Sequence, residues 1–581
     1  MKKKIGIVTV SYNGLNDTLA LFSSARILDT EEFIVKWVLV DNGSTDGVSS
    51  KVSQEFPEVE VVPTGENLGF AGGYNRGLRY LYAWGADYVL IINNDTLIKD
   101  KNFLNELVSV LKKDEKIGLV SPKILFAPGY EYFKDRYAKK DEGKIIWYAG
   151  GTFDWHNLAS IHRGIDEVDT GKFDRVEETH FISGCCWLMR REVLSLVEFF
   201  DDGLFAYFED NDYLLRSAKA GFIFYYDGLT SLYHKVSRTA GIGSPTADYY
   251  LSRNKLTFSF RYASLRTKLA VLKEGIRLLF WGRPMQKKGI KDFFLGKKGI
   301  IQREVKENVD WPIKLSVAVV NYKTLPLIIK LLESLDKKDL PAGRQGKNLE
   351  IVVLDNDSKD EIEKVILEKY PAVKFIKSPT NLGFSGGYNL AMDFCRGRYL
   401  LMLNSDIVVR KSSLEKLIKC EEELGGNVVV AGKLILPDKT TQKSAYHLPT
   451  ISRAIKEYFL GEKDAFFSYL PDQNKPSEVE GAVMACFLLP QKVRNEIGRL
   501  DEGTKFYFED IDYCRRLKEN NIPIYYAPEA VFDHYHGASA KTLGEGEAIK
   551  KLKAASLHYH GTIKHYLITA ILWIGQKLKK N

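Results

Sequence analysis

The sequence predicts an α/β chain of two tandem, doubly wound domains, each a mainly parallel sheet flanked by helices. Three observations predict it. The chain has 581 residues, long for one hydrophobic core and natural for two. The phrase NLGFAGGYN at 67–75 returns as NLGFSGGYN at 381–389, so a unit has been duplicated. Within each copy, short apolar β-rich runs alternate with helical stretches, the pattern of βαβ units.

In order along the first copy, the pattern predicts a strand at 5–12, a helix, a strand at 37–41 and a short strand at 58–63. A glycine-rich turn follows, then a helix at 72–84 and a strand at 87–93 that runs into a carboxylate. The second copy repeats this order. IGIVTVSYN (5–13) matches LSVAVVNYK (315–323), and WVLVDNGSTD (37–46) matches IVVLDNDSKD (351–360). The offset grows from 310 at Tyr12 and Tyr322 to 314 at Asp41 and Asp355, and the turn-rich PAGRQGK at 341–347 accommodates the extra residues. Farther on, YVLIINNDTLI (88–98) matches YLLMLNSDIVV (399–409). FDDGLFAYFEDNDYLLR (200–216) matches LDEGTKFYFEDIDYCRR (500–516) at an offset of 300. The first copy therefore carries the longer insert, between 98 and 180. Predicted boundaries are 1–260 and 313–560 for the two domains, 261–312 for a basic helical connector and 561–581 for a basic tail.

Composition narrows the partners. Hydrophobic residues make up 45% and charged residues 27%, a globular balance. Six cysteines show no CxxC spacing, which predicts reduced thiols in a cytoplasmic protein rather than disulfides or zinc. The apolar run after MKKK is too short for a signal peptide, and no stretch reaches the roughly 20 apolar residues of a spanning helix. Net charge is +8, and residues 261–299 alone hold eleven Lys/Arg against two Asp/Glu. Leucine and isoleucine recur there at helical spacing. Such a helix either lies on the inner face of an anionic membrane or packs on its own domain with a solvated basic face. No nucleic-acid-binding motif accompanies the charge.

Polar residues that follow the apolar runs sit beyond the carboxyl ends of the strands, where ligands bind in such sheets. They are Tyr12 and Asn13, Asp41 and Asn42, Asn94 and Asp95, with Tyr322, Asp355, Asn356, Ser405 and Asp406 in the second copy. Asp95 and Asp406 are either turn caps or ligands of Mg²⁺ or Mn²⁺ bridging a diphosphate. His234 and His534 lie 24 residues after Asp210 and Asp510, a register that suits an additional metal ligand. The clusters Glu209-Asp210-Asn211-Asp212 and Glu509-Asp510-Ile511-Asp512 fit a helix start, where one carboxylate can serve as a general base while its neighbours pair with Arg216 or Arg516. The glycine-rich loop lacks the P-loop lysine and GxGxxG spacing, so neither an NTPase nor a nicotinamide site is indicated. Gly69 and Gly383 let the backbone approach a sugar or phosphate, with Asn75 and Asn389 supplying amides, or else they serve packing alone.

The order VDNGSTD, NLGFAGGYN, IINND, GCCWLMRRE, FFDDGLFAYFEDNDYLLR and a histidine resembles family 2 glycosyltransferases of GT-A fold, the Rossmann-like nucleotide-diphospho-sugar transferases, and in particular their bacterial rhamnosyltransferase-like branch. The resemblance covers residues 5 to about 260 and 315 to about 560, most of the chain. It implies nucleotide-base contact at Asp41 and Asp355, metal-diphosphate binding at Asp95 and Asp406, a catalytic base at Asp210 and Asp510, and a further metal or diphosphate contact at His234 and His534. It also implies a metal-dependent, inverting transfer of a sugar such as rhamnose from a nucleotide diphosphate to a cell-surface glycan or lipid-linked acceptor. Such a chain serves polysaccharide or cell-wall synthesis and is bifunctional if both copies act. The second copy departs from the pattern at Lys323 for Asn13, at NDSK for NGST and at MACFLLPQK (484–492) for GCCWLMRRE. The first copy lacks the Gly-Ala-Ser that follows His536. Three readings compete: one catalytic copy beside a glycan-binding or scaffolding copy, a nucleotidyltransferase, whose Arg-bearing loop SYNGLND lacks, and a membrane-surface adaptor, which leaves the paired acidic motifs unexplained.

Overall fold

A computed structural model of the chain describes residues 2–133, 136–236, 244–301, 311, 313–335, 349–378, 380–462, 464–466, 468–503, 507–535 and 545–580. The expected loop insertion at 341–347, the Gly-Ala-Ser after His536 and part of the connector lie outside these residues. The chain forms two compact units, Met1–Asp310 and Trp311–Asn581.

The first unit begins with β1 (Lys3–Ser11), α1 (Leu15–Ala25), β2 (Phe33–Asp41), α2 (Val48–Glu55) and β3 (Glu60–Pro63). Then come α3 (Gly69–Trp84), β4 (Tyr88–Ile92), β5 (Thr96–Ile98), α4 (Phe103–Leu111) and β6 (Ile117–Phe126). The long insert contributes β7 (Ile146–Tyr148), a hairpin of β8 (Gly151–Asp154) and β9 (Ala159–His162), and β10 (Val176–Thr179). The unit closes with β11 (Cys186–Arg190), α5 (Arg191–Val197), α6 (Glu209–Lys219), β12 (Ile223–His234), α7 (Pro245–Tyr262), α8 (Leu265–Trp281) and α9 (Pro284–Phe294).

Across the sheet the order is β10-β12-β6-β11-β4-β1-β2-β3. Strands β4, β1, β2 and β3 are mutually parallel, as are β6 and β12. Between these two parallel blocks β11 runs antiparallel to both neighbours. The sheet is therefore mixed although its parallel pairs predominate, because the chain re-enters from the insert in the opposite direction. Residues such as Val8, Leu39, Leu90 and Ile91 are completely buried, since both faces are covered.

The second unit repeats the plan. Strands Lys374–Lys377, Leu349–Asp355, Ile313–Asn321 and Gly397–Leu403 are parallel. The antiparallel Cys486–Pro490 follows, then the parallel pair Val429–Ile435 and Ile524–His534.

Helices α8 and α9 of the expected connector pack within the first unit through Val271 and Ile290, which join Leu256 of α7 in one buried cluster. The tail helix Thr562–Lys580 packs within the second unit against helix Ile451–Phe459. Among the described residues no helix is long and apolar enough to cross a membrane. All six cysteines are buried and free.

Candidate active site

The repeated glycine-rich phrase is a packing device whose parts all have internal partners. Gly69 takes φ +74°, and a Cβ there would stand 2.4 Å from the Phe205 carbonyl oxygen. Gly73 faces Val10 and Asn42, and Gly387 faces Val320 and Asn356, so the second glycine of each pair lets its helix settle on the first strand of its own unit. Tyr74 donates to the carbonyls of Ile92 (3.0 Å) and the Asn93 side chain (2.9 Å). Tyr388 does the same to Leu403 (2.9 Å) and Asn404 (3.2 Å). Each tyrosine thus ties its glycine-rich helix to the strand end that carries Asp95 or Asp406.

This differs from the expectation for the asparagines. Asn75 is fully buried, donates to Phe200 O and the Asp202 carboxylate, and accepts from Phe200 N. Asn389 is fully buried too, bonding Leu500 and Glu502 in the same way. Their amides are committed to the segment that leads into the acidic motif, and Gly69 and Gly383 serve the turn itself. Asn42 and Asn356 also clamp the loop. Asn42 Nδ2 donates to Gly69 O (3.0 Å) and its Oδ1 accepts from Leu68 N (2.9 Å). The Asn356 counterparts are 2.9 and 2.8 Å.

Asp41 and Asp355 end their strands almost wholly buried. Asp41 accepts from Ser44 N (2.8 Å) and the Ser49 hydroxyl, and Asp355 from Ser358 N (3.2 Å) and Asn321 Nδ2 (3.4 Å). Tyr12, 40% exposed, follows Ser11, the β1 residue that pairs with Asp41. Asn13 sits at φ 53° and its Oδ1 accepts from Thr45 N (2.8 Å). Lys323 keeps the conformation at φ 56° without that acceptor. Tyr322 precedes it. Asn94 donates to Thr18 Oγ1 (3.1 Å), and Ser405 accepts from Thr324 Oγ1 (2.8 Å).

Sheet register brings the acid and the histidine together. Thr96 of β5 pairs with His234, and Ile407 pairs with His534, so the preceding Asp95 and Asp406 fall next to the rings. Both Asp Oδ1 to His Nε2 distances are 3.3 Å. All four groups are buried or nearly so. Burial opposes protonation of His234, yet Cys185 and Asp95 beside it raise its pKa to about 10. The two rings are supported differently. His234 meets the Trp147 ring edge-on at 4.5 Å, whereas His534 Nδ1 lies 2.6 Å from Gln442 Oε1.

The acidic motif follows strained backbone in both units. Tyr207 and Phe208 take φ 66° and 71°, and Tyr507 and Phe508 take 75° and 67°, left-handed values that cost non-glycine residues energy and concentrate at functional sites. The helix that starts immediately afterwards places Glu209-Asp210 or Glu509-Asp510 at its N-terminus. The third acid of each cluster is structural. Asp212 and Asp512 each accept from the arginine one turn on, Arg216 Nε or Arg516 Nε, at 2.8 Å.

Burial raises the pKa of Asp210, and burial together with Asp210 raises that of Glu209 well above the carboxylate range. In the second unit burial lifts Asp510 to about 6, and burial with Asp510 lifts Glu509 to about 8. Glu209 Oε2 and Glu509 Oε2 are buried without a hydrogen-bond partner among the described residues. Environments that push two adjacent carboxyls apart in this way assign the proton to one and the charge to the other.

One clamp has no precedent in the sequence pattern. Asn254 Nδ2 of α7 lies 2.8–2.9 Å from the carbonyl oxygens of Leu204, Ala206 and Tyr207, and Arg253 donates to Gly203 O (2.9 Å), Leu204 O (3.0 Å) and Gly299 O (2.6 Å). Together they hold the left-handed loop that aims Glu209 and Asp210.

Carboxylate oxygen with imidazole nitrogen is a donor set suited to a divalent cation such as Mn²⁺, whose binding would displace the proton that Asp95 and Cys185 favour on His234. Each unit supplies a pair of such donors, and among the described residues no group of three or more metal-binding side chains converges. A pair leaves coordination positions for phosphate oxygens and water, as at Mg²⁺-phosphate sites.

Beside this geometry, the sequence signature described as Glycosyl transferase family 2 matches residues 6–197 and again 316–498. The chain belongs to glycosyl transferase family 2. It is a glycosyltransferase built from two family 2 domains, and its two sheets are those expected of the GT-A fold. The family 2 signature spans the Asp41, glycine-rich and Asp95 elements of the first unit and ends before Glu209. N-acetylglucosaminyl-diphospho-decaprenol L-rhamnosyltransferase of Mycobacterium tuberculosis is 27% identical over 285 residues, which are 45% of this chain and 84% of that protein. Rhamnosyltransferase WbbL of Escherichia coli is 25% identical over 38% of this chain and 82% of that protein. S. aureus TarS in complex with UDP aligns at a TM-score of 0.30 and 18% identity, over 45% of this chain and 69% of that chain. The two rhamnosyltransferases each match less than half of this chain over more than four fifths of their own length, the relation of a single domain to a duplicated one.

Proposed function

We propose that this chain transfers a sugar, a 6-deoxyhexose such as rhamnose, from a nucleotide diphosphate to a hydroxyl of a glycan carried on a lipid diphosphate, with inversion, at two sites. The carrying observation is the duplicated carboxyl pair: in both units a buried glutamate, its pKa raised by burial and by the neighbouring aspartate, adjoins that aspartate at the N-terminus of a helix that follows two left-handed aromatic residues. The names of the M. tuberculosis and E. coli relatives supply the sugar and the class of acceptor.

Asp210 or Asp510 takes the proton of the acceptor hydroxyl as its oxygen forms the new bond to the anomeric carbon, from the face opposite the diphosphate. The bond from that carbon to the diphosphate oxygen breaks, and the diphosphate leaves with the electron pair. A raised pKa suits a base that must accept a proton near neutral pH. In this reading Asp41 and Asp355, at the ends of their strands, contact the nucleotide base together with Tyr12 and Tyr322. Asp95 with His234, and Asp406 with His534, would hold Mg²⁺ or Mn²⁺, which would supply charge stabilisation on the leaving diphosphate. Six buried free thiols fit a cytoplasmic setting.

Release of nucleoside diphosphate from a panel of sugar nucleotides tests the reading, with wild type compared with Asp210→Asn, Asp510→Asn and the double variant. Loss of turnover toward one donor in each single variant supports two sites. Full activity in the double variant overturns the assignment. A specific difference keeps a second reading in view. Gly184, whose Cα hydrogen points toward Phe70 and Asp210, is Met484 in the second unit. If only Asp210→Asn matters, the second unit binds glycan without transferring sugar.

A further inference from the structure

Helix α8 of the first unit and Thr562–Lys580, the last helix of the second, each have two apolar faces, and only one of them is used in packing. In α8 the buried positions are Thr267, Val271 and Gly275, and this side meets Leu256 of α7 and Ile290 of α9. On the opposite side Leu265, Leu269, Ile276 and Phe280 stand one above another at steps of four, seven and four, and all are exposed, with Trp281 at the end 79% exposed. Helix Thr562–Lys580 repeats the design. His565, Ile568 and Gly575 are buried, the last against Tyr458. Ile563 (77% exposed), Leu567, Trp573 and Ile574 face away, and Lys577 Nζ stands 3.9 Å over the Trp573 ring.

Large apolar side chains scattered singly on a surface need no explanation, but stripes opposite a packed face, each with a tryptophan toward its carboxyl end, do. The charge around them selects the occupant. Arg266, Lys273 and Arg277 are exposed on α8, and its only acid, Glu274, is paired with Lys255 at 2.7 Å. Residues 261–299 carry eleven Lys/Arg against two Asp/Glu, and residues 561–581 carry four Lys and no acid. A second copy of so basic a face would be repelled, whereas anionic headgroups are attracted, and neither helix is apolar enough to span. We propose that these two stripes are interfacial anchors that lay each unit on an anionic lipid bilayer, with Leu, Ile, Phe and Trp in the headgroup boundary and the flanking cations on lipid phosphates. The proposal does not depend on the transfer reaction.

The test is flotation of the full chain with vesicles of phosphatidylcholine alone and of phosphatidylcholine mixed with phosphatidylglycerol. Wild type should bind the mixed vesicles, less so at raised salt. L269S/F280S and I563S/W573S should each weaken binding by about tenfold, and R266E/K273E/R277E should abolish the preference for anionic lipid. All these side chains are exposed, so thermal unfolding and nucleoside diphosphate release with a soluble acceptor should match wild type, which separates failure here from failure of the transferase reading. Equal binding to neutral and anionic vesicles, or wild-type binding by both apolar variants, overturns the proposal. So does a wild-type dimer that the same substitutions disperse, which would assign the stripes to a second copy of the chain.

Discussion

His234 Nε2 lies 3.3 Å from Asp95 Oδ1, and His534 Nε2 lies 3.3 Å from Asp406 Oδ1, although the stretch between acid and histidine is eleven residues longer in the first unit and its sequence differs. The agreement comes from strand pairing, since each histidine sits opposite the residue that follows its aspartate. A geometry preserved while its surroundings diverged is expected of a working pair. Asp95→Asn and Asp406→Asn should each lower cation-stimulated turnover at their own site by about a hundredfold, with Mn²⁺ titration by electron paramagnetic resonance losing one site per substitution. Unchanged Mn²⁺ binding in both variants would show the pair to be structural.

The adjacent carboxyls of the second unit give a pH dependence of definite sign. With Asp510 at about 6 and Glu509 at about 8, a charged base and a protonated neighbour coexist near neutrality. Turnover at this site should rise as pH climbs through about 6. Asp510→Asn should remove it, while Glu509→Gln, which mimics the protonated acid, should retain most of it.

Stability should run the other way. Glu509 has its pKa raised from 4.5 to about 8, so the folded unit binds this proton more tightly than the unfolded chain does. Its contribution is complete below 4.5 and is lost as pH rises through 8. Glu509→Gln should therefore stabilise the second unit by about 2 kcal/mol on the alkaline side and by little on the acid side, as read by thermal unfolding across that range. Parallel pH profiles for variant and wild type would exclude this account.

Gly69 combines a left-handed φ of +74° with a Phe205 carbonyl oxygen 2.4 Å from any added Cβ. Gly69→Ala should destabilise the first unit by about 2 kcal/mol or more, because neither the backbone nor the helix behind it can give way cheaply. Denaturant unfolding followed by intrinsic fluorescence would measure it, and a variant as stable as wild type would refute the packing argument.

What was legible in the sequence follows from what duplication preserves. Asp95, Asp210, His234 and their partners recur in register, and the structure places them at strand ends and helix starts as the repeat implies. Asn75 and Asn389 also recur, but recurrence does not separate a ligand contact from a buried bond between elements, and these amides hold the glycine-rich helix to the Phe200–Asp202 or Leu500–Glu502 segment. Trp147 and Gln442 were invisible because they come from the stretches where the copies share least. Arg253 and Asn254 carry no repeat signal either. The exposed stripes of α8 and of Thr562–Lys580 were half legible: spacing marked both as amphipathic, while which apolar side is packed required the fold.

The Asn254 clamp gives the sharpest difference between a positioning role and a structural one. Its amide reaches three carbonyls of the loop that carries Phe205, Tyr207 and Phe208 at positive φ, and that loop directs Asp210. Asn254→Ala removes the side-chain amide from all three carbonyls, leaving Leu204 O its bond from Arg253, and lets the strained turn relax, so the base drifts while the helix that holds it remains. Turnover at the first site should fall by about tenfold or more through kcat, with KM for the donor little changed, because displacement of a catalytic group by as little as an ångström is costly. The second site, reported by a donor that Asp210→Asn does not affect, should keep its rate. A matched loss at both sites, or a rise in KM alone, would show that Asn254 supports the domain or the donor pocket rather than the base.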